Sequence, residues 1–177
     1  MKALLIIDMQ KGSFKPYSLR HDTLGTITRI NKVAEQFRAS GYPVIFIQHD
    51  GFNENCFLPD GEDWEILPEL VRKPMDITIG KTANDSFYHS TLQATLTENK
   101  IAELFVTGCA TDFCVDATVK AAHSKEYKVT VIADGHTTAS RPGIDAPAVI
   151  GYFNWLWSDM APTKHKIAVQ KAAELII

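Results

Sequence analysis

Short runs rich in β-branched residues alternate along this chain with longer stretches that carry the period of a helix. That alternation is the pattern of a parallel sheet covered on both faces by helices. Residues Ala3 to Ile7 form the first expected strand, and Asp22 to Arg38 a helix with apolar Leu24, Ile27, Ile30, Val33, Ala34 and Phe37. Gly41 caps that helix and Pro43 opens strand two, Val44 to Ile47. Further strands are expected at Asp76 to Ile79, Leu104 to Thr107, Val129 to Ile132 and Lys166 to Val169. Helices are expected at about Ser90 to Asn99, from near Cys114, and at about Ala146 to Asp159. Between Asp50 and Pro74 the turn residues Pro59, Gly61 and Pro68 leave little period until Trp64 to Leu70, and loops of this length often carry function. No repeat, low-complexity tract or linker divides the chain, so residues 1–177 read as one domain.

Six strands with intervening helices favour an α/β, three-layer α/β/α sandwich of Rossmann-like topology, with a parallel sheet in the order 3-2-1-4-5-6. Ligands bind such sheets where the order reverses, between strands one and four. Asp8 lies at the carboxyl end of strand one, Cys114 just past strand four, and Lys81 after strand three on the same edge. Three chemically useful side chains scattered along the chain therefore converge on the expected crevice.

A formal net charge of -3 and a pI near 6.0 provide no field to gather nucleic acid or an anionic membrane, so a small-molecule or protein partner fits better, and a small-molecule substrate is the one expected. No apolar run approaches the ~20 residues needed to cross a bilayer. The Met1 to Ile7 stretch runs into Asp8 without a signal-peptide cleavage pattern, which points to a cytoplasmic protein. Cys56, Cys109 and Cys114 form an odd set without paired metal-type spacing, and a reducing compartment leaves them as thiols.

The segment from Val106 to Val119 passes from a strand through a tight turn into a helix, placing Cys114 at or near the helix N-terminus. Free amides and the macrodipole there favour a thiolate, with a pKa below the usual ~8.5, and a nearby Lys81 ammonium acts in the same direction. Asp8 is placed to take the thiol proton and return it to a leaving amine. Backbone N–H groups around Ala110 and Cys114 would hold a developing oxyanion. Taken singly, a cysteine is usually a buried small hydrophobe, a strand-ending aspartate a turn residue and a lysine a solvated charge. Their joint placement is what favours function. Other schemes fit poorly: a phosphatase loop needs an arginine six residues after the cysteine, where Val115 follows Cys109 and Lys120 follows Cys114. No C-x-x-C pair, Walker loop or G-x-G-x-x-G is present, and no local signature around the histidines marks a papain-like partner.

The segments Leu4-Leu-Ile-Ile-Asp8-Met-Gln10, Gln48-His-Asp-Gly51, Lys81 in Gly-Lys-Thr, and Gly108-Cys-Ala-Thr-Asp-Phe-Cys-Val115 resemble the isochorismatase-like hydrolase superfamily in order and spacing. The resemblance implies hydrolysis at a C–N bond, a catalytic triad of Asp8, Lys81 and Cys114, and a cis peptide before Ala110, with Cys109 and Ala110 at the oxyanion. Isochorismatases proper, which cleave a vinyl ether, typically lack the cysteine, so Cys114 argues against that reaction. Nicotinamidases hold a metal with an Asp-x-His pair and further histidines after strand two, whereas this chain has Gln48-His49-Asp50 there and no second histidine before His89. No metal and no cofactor is therefore expected, and Asp134-Gly135-His136 reads as a turn.

Phe14, Phe52, Trp64 and Phe87 lie on loops next to the expected crevice and are candidates to shape a pocket for a small amide, imide or ureido compound, with His49, Asp50 and Asn84 as further substrate-binding candidates. The helix bearing Phe153, Trp155, Leu156 and Trp157 has apolar residues on more than one side, and family members commonly assemble, so a homo-oligomer, dimer or larger, is expected. The leading expectation is a cysteine hydrolase with a Cys114 covalent intermediate. The alternatives are an enol ether hydrolase using Asp8 and Lys81, and a catalytically silent binding protein that keeps the fold.

Overall fold

Successive apolar residues in a strand point to opposite faces of a sheet, so a run such as Leu4 to Ile7 is stable only where both faces are covered. The computed structural model, which describes residues 1–177, covers them. Leu5 and Ile7 enter one core together with Leu92, Leu96, Val119 and Trp157, while Leu4 and Ile6 enter the other with Ile27, Ile30, Val33 and Phe37. Each Leu or Ile withdrawn from water in this way contributes about 1.5–3 kcal/mol.

The strands are β1 (Lys2–Ile7), β2 (Val44–His49), β3 (Ile77–Lys81), β4 (Glu103–Cys109), β5 (Lys128–Thr137) and β6 (Ala168–Gln170). All neighbours are parallel, in the expected order β3-β2-β1-β4-β5-β6. Helix α1 (Thr23–Ala39) packs on one face, and α2 (Leu92–Glu98), α3 (Asp116–Ser124) and α4 (Ala146–Asp159) pack on the other. Asp145 caps α4 by accepting the Ala148 N–H at 2.8 Å. Apolar residues on both sides of α4 divide between core and surface, with Trp157 wholly buried and Tyr152 and Trp155 about half exposed. No helix is long and apolar enough to cross a membrane.

Two differences from the sequence reading bear on the site. First, β5 continues to Thr137, so Asp134-Gly135-His136 lies in a strand and not in a turn. A register shift in β4 between Val106 and Gly108 lets pairing resume at His136, which is buried. Second, the chain enters α3 through a π-helical turn, Thr111–Val115, which contains Cys114. Such turns occur often at functional sites.

Register aligns the strand ends. Ile7 lies between Ile47 and Gly108, and His49 lies opposite Lys81. At Gly108 φ is +126°, and a side chain would run into the Ile7 carbonyl, so only glycine lets β4 pass β1 this closely. The next peptide bond, Cys109–Ala110, is cis.

Candidate active site

Asp8 follows the last residue of β1 in a left-handed backbone conformation, φ +47°, that aspartate tolerates better than most residues. Lys81 is the last residue of β3, and Cys114 comes from the π turn after β4. Lys81 Nζ lies 2.7 Å from Asp8 Oδ2, donates to the Ala83 carbonyl at 2.9 Å and lies 3.3 Å from Cys114 Sγ. These three partners use all the donors of the ammonium, which is how a lysine only 1% exposed keeps its charge. The Cys114 thiol also reaches Asn84 Oδ1 at 3.4 Å. Asp8 Oδ1 is buried and has no hydrogen-bond partner.

Burial raises the pKa of Asp8, although Lys81 and Cys114 oppose it. For Lys81 burial acts downward but is outweighed by Asp8 and then Cys114 beside it, so its pKa stands above the ordinary value. Burial, followed by the Asp8 carboxylate, pushes the Cys114 thiol well up, more than Lys81 can offset. That direction favours a neutral thiol at rest. This corrects the expectation of a thiolate, which considered the helix terminus and Lys81 but not the covered turn or the facing carboxylate. Burial likewise pushes the neighbouring Cys109 up to about 12.

Above these groups opens a cavity of about 560 Å³. Asp8, Cys114, Cys109 and Ala110 line it, and so do two of the expected substrate-binding residues, His49 and Asn84. The others are elsewhere. Phe14 is fully buried in the core beneath α1. Phe87 belongs to the opposite core, stacked on Tyr127 with ring centroids 5.9 Å apart. Trp64 donates its indole N–H to Asp50 Oδ1 at 2.7 Å, so this pair braces the loop, with Gly80 leaving the space that the Asp50 carboxylate fills. Phe52 is largely exposed and does not line the cavity. Phe14 and Phe87 show why: a loop aromatic buries against whichever apolar surface lies nearest, and linear proximity to the crevice does not select the cavity wall.

Other residues supply that wall. Phe57, Glu54 and Cys56 come from the loop after β2, Phe113 from the π turn, and Arg20 and Arg141 from the loops after β1 and β5. The rule that marked Asp8, a position past the carboxyl edge of a strand, also covers both arginines. No three His, Cys, Asp or Glu side chains converge in a way that would hold a metal ion.

Comparisons with known proteins agree with this fold. A family model described as "Isochorismatase domain" matches residues 2–149. The isochorismatase family protein YrdC of Bacillus subtilis is 33% identical over 136 residues, covering 75% of this chain and 72% of its own length. The ureidoacrylate amidohydrolase RutB of Variovorax paradoxus is 32% identical over 193 residues, covering 87% of this chain and 77% of its own length. Among solved structures, an isochorismatase from Pseudomonas putida superposes with a TM-score of 0.87 at 26% identity, over 99% of this chain and 90% of that one. With the family model spanning β1 to the first turn of α4, well over half of the chain, the chain belongs to the isochorismatase family of hydrolases.

Proposed function

We propose that the chain hydrolyses a C–N bond of a small amide, imide or ureido compound through a covalent intermediate on Cys114. The observation that carries this is the buried contact of one lysine with both a carboxylate and a thiol, at 2.7 and 3.3 Å, on the floor of the cavity. The similarity to a ureidoacrylate amidohydrolase supports the bond type.

In this scheme the resting thiol gives its proton to Asp8 as Sγ attacks the carbonyl carbon, and Lys81 holds the charges of both groups together. The unpartnered Asp8 Oδ1 is an acceptor free for that proton. The raised pKa of Asp8 makes it a better base than an ordinary carboxylate. The Ala110 N–H, which donates to no backbone carbonyl, is free to hold the oxyanion. Collapse breaks the C–N bond, and Asp8 returns the proton to the departing amine. Water, deprotonated by Asp8, then attacks the thioester and releases the acid and the thiol.

Cys114→Ala should lower turnover of a responsive amide or ureido substrate by about 10⁴-fold or more while leaving the circular dichroism spectrum unchanged. Full turnover in a folded Cys114→Ala protein would sink the covalent mechanism and favour non-covalent hydrolysis by Asp8 and Lys81.

A further inference from the structure

The charges around the cavity are nearly all paired. Asp8 faces Lys81 at 2.7 Å. Arg141 grips Asp112 through two hydrogen bonds, at 2.7 and 3.0 Å, and its guanidinium lies 4.8 Å from the Phe113 ring centroid. Glu54 takes a hydrogen bond from His49 at 2.8 Å, and its side chain is 50% exposed, so water screens it.

Arg20 differs. Its Nε donates to the Ser13 carbonyl at 2.8 Å, which fixes the guanidinium at the cavity wall, yet it forms no ion pair with any carboxylate. No protein acceptor takes a hydrogen bond from its two terminal nitrogens. Its charge is also felt at the cavity floor, where it opposes the effect of burial on the Cys109 thiol. A half-buried guanidinium with one nitrogen tethered and two free is a fork that matches a carboxylate.

We propose that Arg20 is a specificity-determining residue that binds an anionic group of the substrate, so the compound cleaved is an amide, imide or ureido acid bearing a carboxylate or an oxyanion of similar size. This rests on the assignment of Cys114 as the nucleophile at the floor of the same cavity. A neutral substrate would leave Arg20 without a partner, whereas a carboxylate gains a charge-assisted hydrogen bond there.

Two alkylating reagents of nearly equal size test this without knowledge of the substrate. Iodoacetate carries a carboxylate and iodoacetamide a neutral amide. In both, Sγ forms a bond to the methylene carbon as iodide leaves. The ratio of their rates at Cys114, followed by mass spectrometry, cancels any change in the thiol itself. Arg20→Gln should lower the iodoacetate-to-iodoacetamide ratio by about tenfold or more, and Arg20→Lys should keep part of it, as expected for a charged hydrogen bond. If both reagents label Cys114 and the ratio is the same in wild type and Arg20→Gln, the inference is overturned while the nucleophile stands. If neither reagent labels Cys114 at a pH where Asp8 is ionised and able to take the thiol proton, although both label the exposed Cys56, the nucleophile assignment fails and the inference falls with it.

Discussion

The floor and the mouth of this cavity are built in different ways. The floor is made by strand ends: Asp8, Lys81 and Cys109 follow or end β1, β3 and β4, where register places Asp8 level with Cys109 and Lys81 one residue further along, and their side chains are almost wholly buried. The mouth is made by loops. Glu54, Cys56 and Phe57 come from the segment after β2, and Arg20 from the segment after β1, and each keeps solvent contact. Sheet register tolerates little variation, since a one-residue slip would turn every side chain to the other face. Loops vary in length and composition at small cost to stability. The contrast teaches that, under the proposed mechanism, the bond-breaking groups are held by the geometry of the sheet, whereas the groups that would choose the substrate are carried by loops.

The difference can be broken most severely at the floor. Lys81→Met removes the only cation beside a buried carboxylate, and losing one partner of such a pair costs about 3–5 kcal/mol. Urea unfolding should record that loss together with abolished turnover, and a variant of normal stability would mean that the floor is less tightly coupled than its geometry implies.

A buried group behind the floor supplies the next effect. His136 bonds to Thr111, the first residue of the π turn, at 2.8 Å and to Asn154 at 3.0 Å, and burial lowers its pKa from 6.5 to about 4. Between those values the unfolded chain binds a proton that the folded one does not. Stability should therefore be fully present above pH about 6.5 and fall as pH drops toward about 4, by about 3 kcal/mol from this residue. In His136→Gln that part of the acid limb should disappear. Parallel limbs in the two proteins, measured by denaturant titration across this range, would show that His136 is free to protonate in the fold.

At the mouth the expected effects are smaller. Trp64→Phe deletes the 2.7 Å hydrogen bond that holds the loop through Asp50, costing about 1–2 kcal/mol. KM should rise while kcat stays near wild type, because the brace positions the rim and not the reacting groups. An equal loss in kcat would blur the division between floor and mouth.

The sheet order was legible before any coordinates because continuous apolar runs such as Leu4 to Ile7 and Val44 to Ile47 have few arrangements that cover both faces. The convergence of Asp8, Lys81 and Cys114 was legible for the same reason, since each sits at the carboxyl end of a strand or just beyond it. The cavity wall was not. Nothing local distinguishes Phe57, which lines it, from Phe14, which fills the core under α1. Arg20 went unread because a surface-type residue acquires meaning only when its neighbours are seen to leave it unpaired.

Hydrophobic periodicity and the positions of a few polar residues at strand ends thus determined, from the sequence alone, the architecture and the meeting of Asp8, Lys81 and Cys114. Tertiary structure alone decided the covered, carboxylate-facing setting that pushes the Cys114 thiol up, the burial of His136 inside an extended β5 and the membership of the cavity wall. The physical reason is range. Periodicity and register are written in neighbouring residues, whereas desolvation and charge pairing depend on groups that approach only after the chain has folded: Asp8, Lys81 and Cys114 are far apart in the chain and within hydrogen-bonding distance in the fold.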